Sequence, residues 1–137
     1  MNDKLTLTLV TPERFVLQEE VDELIAPGVL GEFGILPNHT PFFTALSMGE
    51  FVFRKGNVYD YATIEYGFLE VNNNNIIILA ENAELGREID LEKAIEKKIE
   101  AEKKLQDVRK LDDTAIREAE IGLKKQLLRI SIAEKYR

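Results

Sequence analysis

From Leu5 the chain alternates with period two: Leu5, Leu7 and Leu9 point one way, and Thr6, Thr8 and Val10 the other, as a half-buried strand requires. Further short runs at Phe15–Leu17, Val21–Ala26, Glu50–Arg54, Val58–Ile64, Phe68–Val71 and Ile76–Leu79 are predicted as strands. Between them stand Pro27-Gly28, Gly56-Asn57 and the run Asn72 to Asn75, residues that favour tight reversals or positive φ. Several short strands with frequent turns predict an antiparallel sandwich over residues 1–88.

Near residue 89 the period changes. Asp90 is placed to cap a helix beginning at Leu91, because its carboxylate can accept from the free amides of the first turn. Leu91, Ala94, Ala101, Leu105 and Val108 then recur at helical spacing, with Lys98 interrupting and Ile95 and Ile99 widening the stripe. The pattern breaks at Arg109–Asp113, where Asp112 and Asp113 can cap a second helix carrying Ile116, Ala119, Leu123, Leu127 and Ile130 on one face. A short connection makes the two helices antiparallel neighbours. The predicted fold class is therefore α+β: an N-terminal antiparallel β-sandwich (1–88) followed by a C-terminal two-helix antiparallel hairpin (89–137). Gly122 sits inside the second helix at a cost of about 0.5–1 kcal/mol relative to alanine, explained either by a close helix–helix contact or by drift. Two such helices bury little apolar area by themselves, so the hairpin is expected to be held modestly and is a candidate moving part.

Charge divides the chain at the same place. The net charge is −7, but residues 1–89 hold 5 Lys/Arg against 14 Asp/Glu, while residues 90–137 hold 13 against 11. An acidic body argues against general nucleic-acid binding, which needs a basic footprint. The end of the chain carries Lys124, Lys125, Arg129, Lys135 and Arg137 against Glu134 alone, which is either a solvated helix face or a surface for an acidic partner. The N-terminus lacks the charged-then-apolar pattern of a signal peptide, and no apolar run approaches the ~20 residues of a membrane span. The expectation is a chain made and kept in the cytoplasm without direct membrane insertion.

Catalytic constellations are missing. There is no cysteine and His39 is the only histidine, which removes thiolate chemistry, a clustered zinc site and a nucleophile–base–acid triad. Gly28, Gly31 and Gly34 are evenly spaced, yet no phosphate-loop pattern follows them. What remains is Gly28 to Pro41, GVLGEFGILPNHTP, with three glycines and two prolines in fourteen residues. It reads either as a structured loop with a turn histidine or as a rigid docking loop at one end of the sandwich.

Within that stretch, GEFGILPNHTPFFTAL resembles the signature of the epsilon subunit of bacterial F-type ATP synthases. The opening LTLTLVTPERFVLQEEVDELIAPG, the GFLEV at Gly67–Val71 and the AENAELGREIDLEKA from Ala80 to Ala94 resemble the same family, so the resemblance covers essentially the whole chain. It implies a non-catalytic rotor subunit, a monomer when isolated, seated on the cytoplasmic face of the membrane within the synthase. The sandwich would bind the gamma subunit and the rotor ring of c subunits. The hairpin would fold on the sandwich or extend into the alpha–beta head, where it inhibits ATP hydrolysis. Glu32, with Phe33, Ile35 and His39 around it, matches the rotor-contact segment; Lys124, Lys125 and Arg129 match the side facing an acidic beta-subunit segment. Some relatives bind ATP through an I-D-x-x-R-A motif. Here Lys93 replaces its arginine, Glu100 stands where strong binders carry another, and Lys125 replaces a third. Glu84, Asp90 and Arg129 are kept, so weak or absent ATP binding is expected. Rival readings are a free-standing nucleotide sensor, a membrane-surface adaptor, and an unrelated sandwich with a dimerisation arm.

Overall fold

The structure is a computed structural model that describes residues 3–107 and 112–136; Val108, Arg109 and Arg137, to which the sequence assigns roles, lie outside them. It divides into two compact units between Gly86 and Arg87, inside a 3-10 turn at Gly86–Glu88. The first unit contains strands β1 (Leu5–Val10), β2 (Phe15–Val21), β3 (Glu23–Gly28), β4 (Gly31–Ile35), β5 (Phe42–Leu46), β6 (Gly49–Lys55), β7 (Val58–Asn72) and β8 (Asn75–Leu85). The second contains α1 (Leu91–Gln106) and α2 (Asp113–Tyr136).

The strands follow the order β2-β1-β8-β7-β5-β3-β4, with β6 bridging β3 and β7 so that the sheet folds back on itself. Pairing is antiparallel except where β1 lies parallel to β8, Thr6 opposite Asn75 through Val10 opposite Leu79. The alternation read from the sequence is the burial pattern: Leu5, Leu7 and Leu9 are in the core while Thr6, Thr8 and Val10 are half-buried. Phe51, Phe53, Ile64, Leu69, Ile76 and Ile78 complete the interior from the facing strands.

Three expectations change. The runs Val58–Ile64 and Phe68–Val71 belong to one strand, β7, whose first half pairs with β6 and whose second half pairs with β5. Its hand-over point is Tyr66-Gly67, both at positive φ (56° and 143°), so the glycine marks a kink inside a strand and not a loop. Pro27-Gly28 closes β3, and the reversal falls at Val29-Leu30. Gly31–Ile35, read as loop, is the strand β4 at the end of the sheet order. The Asn72 to Asn75 expectation holds: Asn73 and Asn74 both adopt positive φ (50° and 62°) and join β7 to β8 through a two-residue reversal.

One ion cluster locks the corner between β2 and β3. The Asp22 carboxylate accepts from the Lys4 ammonium and, at 2.6 Å, from the Gly56 amide, with Arg54 4.0 Å away. The Lys4 hydrogen bond foremost, then the Gly56 amide, holds its acidity stronger than the ordinary carboxylate value. A depressed native pKa contributes stability that is present above the unfolded-state value and is lost as pH falls through the native one. Asp22→Asn is therefore expected to be less stable than the parent at neutral pH, with the gap closing in acid. Urea midpoints of both proteins across acid and neutral pH check this; a gap that does not change with pH contradicts it.

Candidate functional site

The candidate docking segment begins on β4, where Glu32 and Gly34 are exposed and Ile35 points inward. Ile35 is 0% exposed and belongs to the core, so its expected role as a partner contact is corrected: side chains alternate along a strand, and Ile35 falls on the face opposite Glu32 and Gly34. Phe33 is half-buried against the core and meets the Phe42 ring edge-on at 5.4 Å. The chain then reverses through Leu36-Pro37-Asn38-His39, where the His39 amide donates to the Leu36 carbonyl at 3.2 Å. Proline at the second position and Asn38 with φ of 70° at the third are what a type II turn demands. His39 is half-buried, its Nδ1 lies 2.7 Å from the Thr40 carbonyl, and its ring contacts Phe42 at 5.8 Å. A carbonyl only accepts, so Nδ1 donates to it and Nε2 is left free of that bond. Glu32 and His39 thus stand on one segment, braced by the Phe33–Phe42–His39 ring contacts.

A second surface lies on the outward face of β5, β7 and β8. Phe43, Phe68, Ile77 and Leu79 are all exposed there, at 63%, 49%, 43% and 54%. The Phe43 and Phe68 rings stack at 5.6 Å, and Phe68 lies opposite Leu79 in the β7–β8 register. Beside them a groove of about 540 Å³ runs between Val10, Pro12, Leu46, Tyr66 and Ala80. The kink at Tyr66-Gly67 sets the tyrosine at its rim. A free antiparallel sheet carries polar residues on its solvated face, and contiguous apolar surface marks an interaction site. The sequence reading missed this surface. Its signal was the run Ile76-Ile77-Ile78-Leu79, apolar at every position where a half-buried strand would alternate.

The helical unit holds the remaining candidates. Asp90 caps α1, its carboxylate accepting from the Lys93 amide at 3.1 Å, and Asp112 caps α2 by accepting from the Ala115 amide at 2.7 Å. The helices pack on each other along a groove lined by Lys97, Glu100, Ala101 and Lys104 from α1 and by Glu118, Ala119, Gly122 and Gln126 from α2. Its ionisable side chains are two lysines and two glutamates, which gives an anion no net attraction. Lys124 is exposed, whereas Lys125 and Arg129 are half-buried, and Arg129 donates to Gln126 Oε1 at 2.8 Å. Glu84 lies apart from the other ATP-site candidates in sequence, on β8, where its amide donates to Thr63 Oγ1 at 3.0 Å. The predicted stripes are only partly buried: Ile95 and Ile99 on α1 and Leu127 on α2 are exposed, while Gln126, Ile132 and Ala133 are buried.

A Cβ added at Gly122 would meet nothing within 4 Å, so a close helix contact does not explain that glycine. Gly122→Ala is expected to stabilise the hairpin by about 0.5–1 kcal/mol. Thermal unfolding followed by helical circular dichroism checks this; a lowered midpoint contradicts it.

Among the described residues no three His, Cys, Asp or Glu side chains gather to hold a metal, and no helix is long and apolar enough to cross a membrane.

Against known proteins, residues 4–86 match the family described as ATP synthase, Delta/Epsilon chain, beta-sandwich domain. The ATP synthase epsilon chain of Geotalea daltonii is 42% identical over 135 residues, which cover 98% of this chain and 97% of the relative. That of Citrifermentans bemidjiense is 43% identical with the same coverage. A chain in the Euglena gracilis mitochondrial ATP synthase (OSCP, F1 and c-ring) superposes with a TM-score of 0.76 at 29% identity, over 90% of this chain and 79% of that one. A chain from the central stalk and c-ring of the Tetrahymena thermophila mitochondrial enzyme shares the fold, with a TM-score of 0.62 at 16% identity over 96% and 98%.

Proposed function

This chain belongs to the ATP synthase epsilon-chain family, and on that footing we propose that its sandwich anchors it in the central stalk while its hairpin brakes ATP hydrolysis. As an epsilon chain it is a non-catalytic subunit of the synthase. The observation that carries the anchoring is the apolar strip of Phe43, Phe68, Ile77 and Leu79 beside its groove. Stable subunit interfaces are apolar, whereas transient ones resemble ordinary surface. The gamma subunit takes this face.

The segment carrying Glu32 and His39 takes the rotor ring of c subunits: an exposed carboxylate and a half-buried imidazole suit a polar contact better than an apolar seat does. These contacts hold the chain at the cytoplasmic face of the membrane as a peripheral part of the complex. The hairpin supplies the brake. Exposed Ile95, Ile99 and Leu127 give it apolar surface for a partner, and Lys124, Lys125 and Arg129 give it a basic side for an acidic segment of the alpha–beta head.

The test is ATP hydrolysis by a catalytic head that lacks its own epsilon chain, with either the full chain or a form ending at Glu88 added. The sandwich has its own core, so the short form retains the anchor. The full chain is expected to bind and slow hydrolysis, and the short form to bind without slowing it. Equal hydrolysis with both bound forms overturns the brake.

ATP itself binds the hairpin weakly or not at all, because Lys93 lacks the guanidinium fork and Glu100 lines the interhelical groove. Calorimetry with ATP is expected to show no micromolar complex; such a complex contradicts this reading.

A further inference from the structure

Resting on the proposed ring contact of the Gly31–Pro41 segment, we infer that Asn74, outside that segment, is the residue that positions it. The Asn38 amide donates to Asn74 Oδ1 at 2.6 Å, and Asn74 Nδ2 donates back to Asn38 Oδ1 at 3.3 Å. Asn38 Nδ2 also donates to Asp3 Oδ2 at 2.9 Å. Two reversals 36 residues apart in sequence are thereby fastened through their tips. The β7–β8 reversal is itself held, because the Thr6 amide donates to the Asn74 carbonyl at 2.8 Å. The fixed sheet thus supplies an anchor, and Asn74 passes it to the turn that presents His39.

The residue types support this division of labour. Asn38 and Asn74 both adopt positive φ, 70° and 62°, where glycine is the least strained residue. Glycine would satisfy either reversal by itself; what asparagine adds is an amide able to donate and accept at once. Asn73 provides the internal comparison. It has the same left-handed backbone, with φ of 50°, and the link to Asn38 runs through Asn74 and not through it. A docking turn left unfastened must be ordered when the partner arrives, and that ordering lowers affinity.

The experiment compares full-length Asn74→Gly with Asn73→Gly, since both substitutions suit a left-handed turn and only the first removes the fastening. Binding is measured to synthase lacking its own epsilon chain, with the c ring and without it, and exchange of the Asn38 amide is followed by NMR. Asn74→Gly is expected to exchange Asn38 faster and to cut the ring's contribution to affinity about ten-fold, with binding to the ring-free head unchanged. Asn73→Gly is expected to match the parent in all three. Asn74→Asp, which keeps the acceptor for the Asn38 amide, is expected to recover most of the loss. The inference is overturned if Asn74→Gly leaves the ring's contribution intact, or if Asn73→Gly lowers it equally. Glu32→Lys runs alongside: a ring contribution that Glu32→Lys does not alter refutes the ring-contact reading itself, independently of the fastening.

Discussion

Replacing Phe68 with aspartate is expected to weaken binding to a gamma-containing catalytic head by about 30- to 1,000-fold while the free chain stays folded. Phe68 stands at the centre of the outward strip, stacked on Phe43 across β5 and β7 and opposite Leu79 on β8. A central aromatic in a desolvated contact is where binding energy concentrates, and a carboxylate there must be stripped of water on docking. The side chain is 49% exposed in the free chain, so its loss opens no cavity in the core. Titration of labelled chain into the head, with unfolding midpoints measured in parallel, separates the two effects. Asn57→Asp in the β6–β7 reversal adds the same charge outside the strip and is expected to bind as the parent does. Parent-like affinity for Phe68→Asp would remove the strip from the interface.

The second large effect is on the fold. Gly67→Ala is expected to destabilise the sandwich by about 3–5 kcal/mol, a large share of the total stability of a domain this size. Gly67 has φ of 143°, outside the range open to L side chains, and a Cβ there would lie 2.0 Å from the Leu79 carbonyl oxygen and 2.8 Å from the Ala80 Cα. Both atoms are backbone in the β7–β8 ladder, so relief requires parting the two strands. Gly56→Ala isolates the conformational part, since Gly56 has φ of 58° and nothing within 4 Å. It is expected to cost only about 1–2 kcal/mol. Urea unfolding of the three proteins decides the matter; equal losses at the two glycines would mean that the close approach to β8 is not what Gly67 provides.

How legible each part was follows from how local its cause is. Leu5, Leu7 and Leu9, the Asp90 cap and the Asn73-Asn74 reversal were all readable, because alternation, capping and left-handed turns are properties of a few adjacent residues. The strands β4 and β5 were not. Each contributes a single fully buried side chain, Ile35 or Leu46, so no apolar alternation marks it; β4 is made by pairing with β3 across the Val29-Leu30 reversal, and β5 by pairing with distant β7. The runs Val58–Ile64 and Phe68–Val71 looked like two strands because Glu65-Tyr66-Gly67 interrupts the apolar pattern, and the sequence does not show that the positive φ there is a kink within one strand. The two candidate surfaces divide in the same way. The Glu32–His39 segment announced itself through its glycines and prolines, whereas Phe68, Ile77 and Leu79 read only as positions in predicted strands and Phe43 only as part of the family-like segment. An apolar position reads the same whether its own chain or another chain covers it, and only the register of β7 against β8 turns Phe68 and Leu79 outward. The exposed Ile95, Ile99 and Leu127 follow the same rule on the helices.

The central claim is that the sandwich is an anchor for the stalk, and the direct measurement is binding of the intact chain to a catalytic head with and without the gamma subunit. Saturable binding of one chain per head, lost when gamma is absent, is the predicted result. Failure to bind a head with competent gamma, or equal binding without gamma, would contradict it.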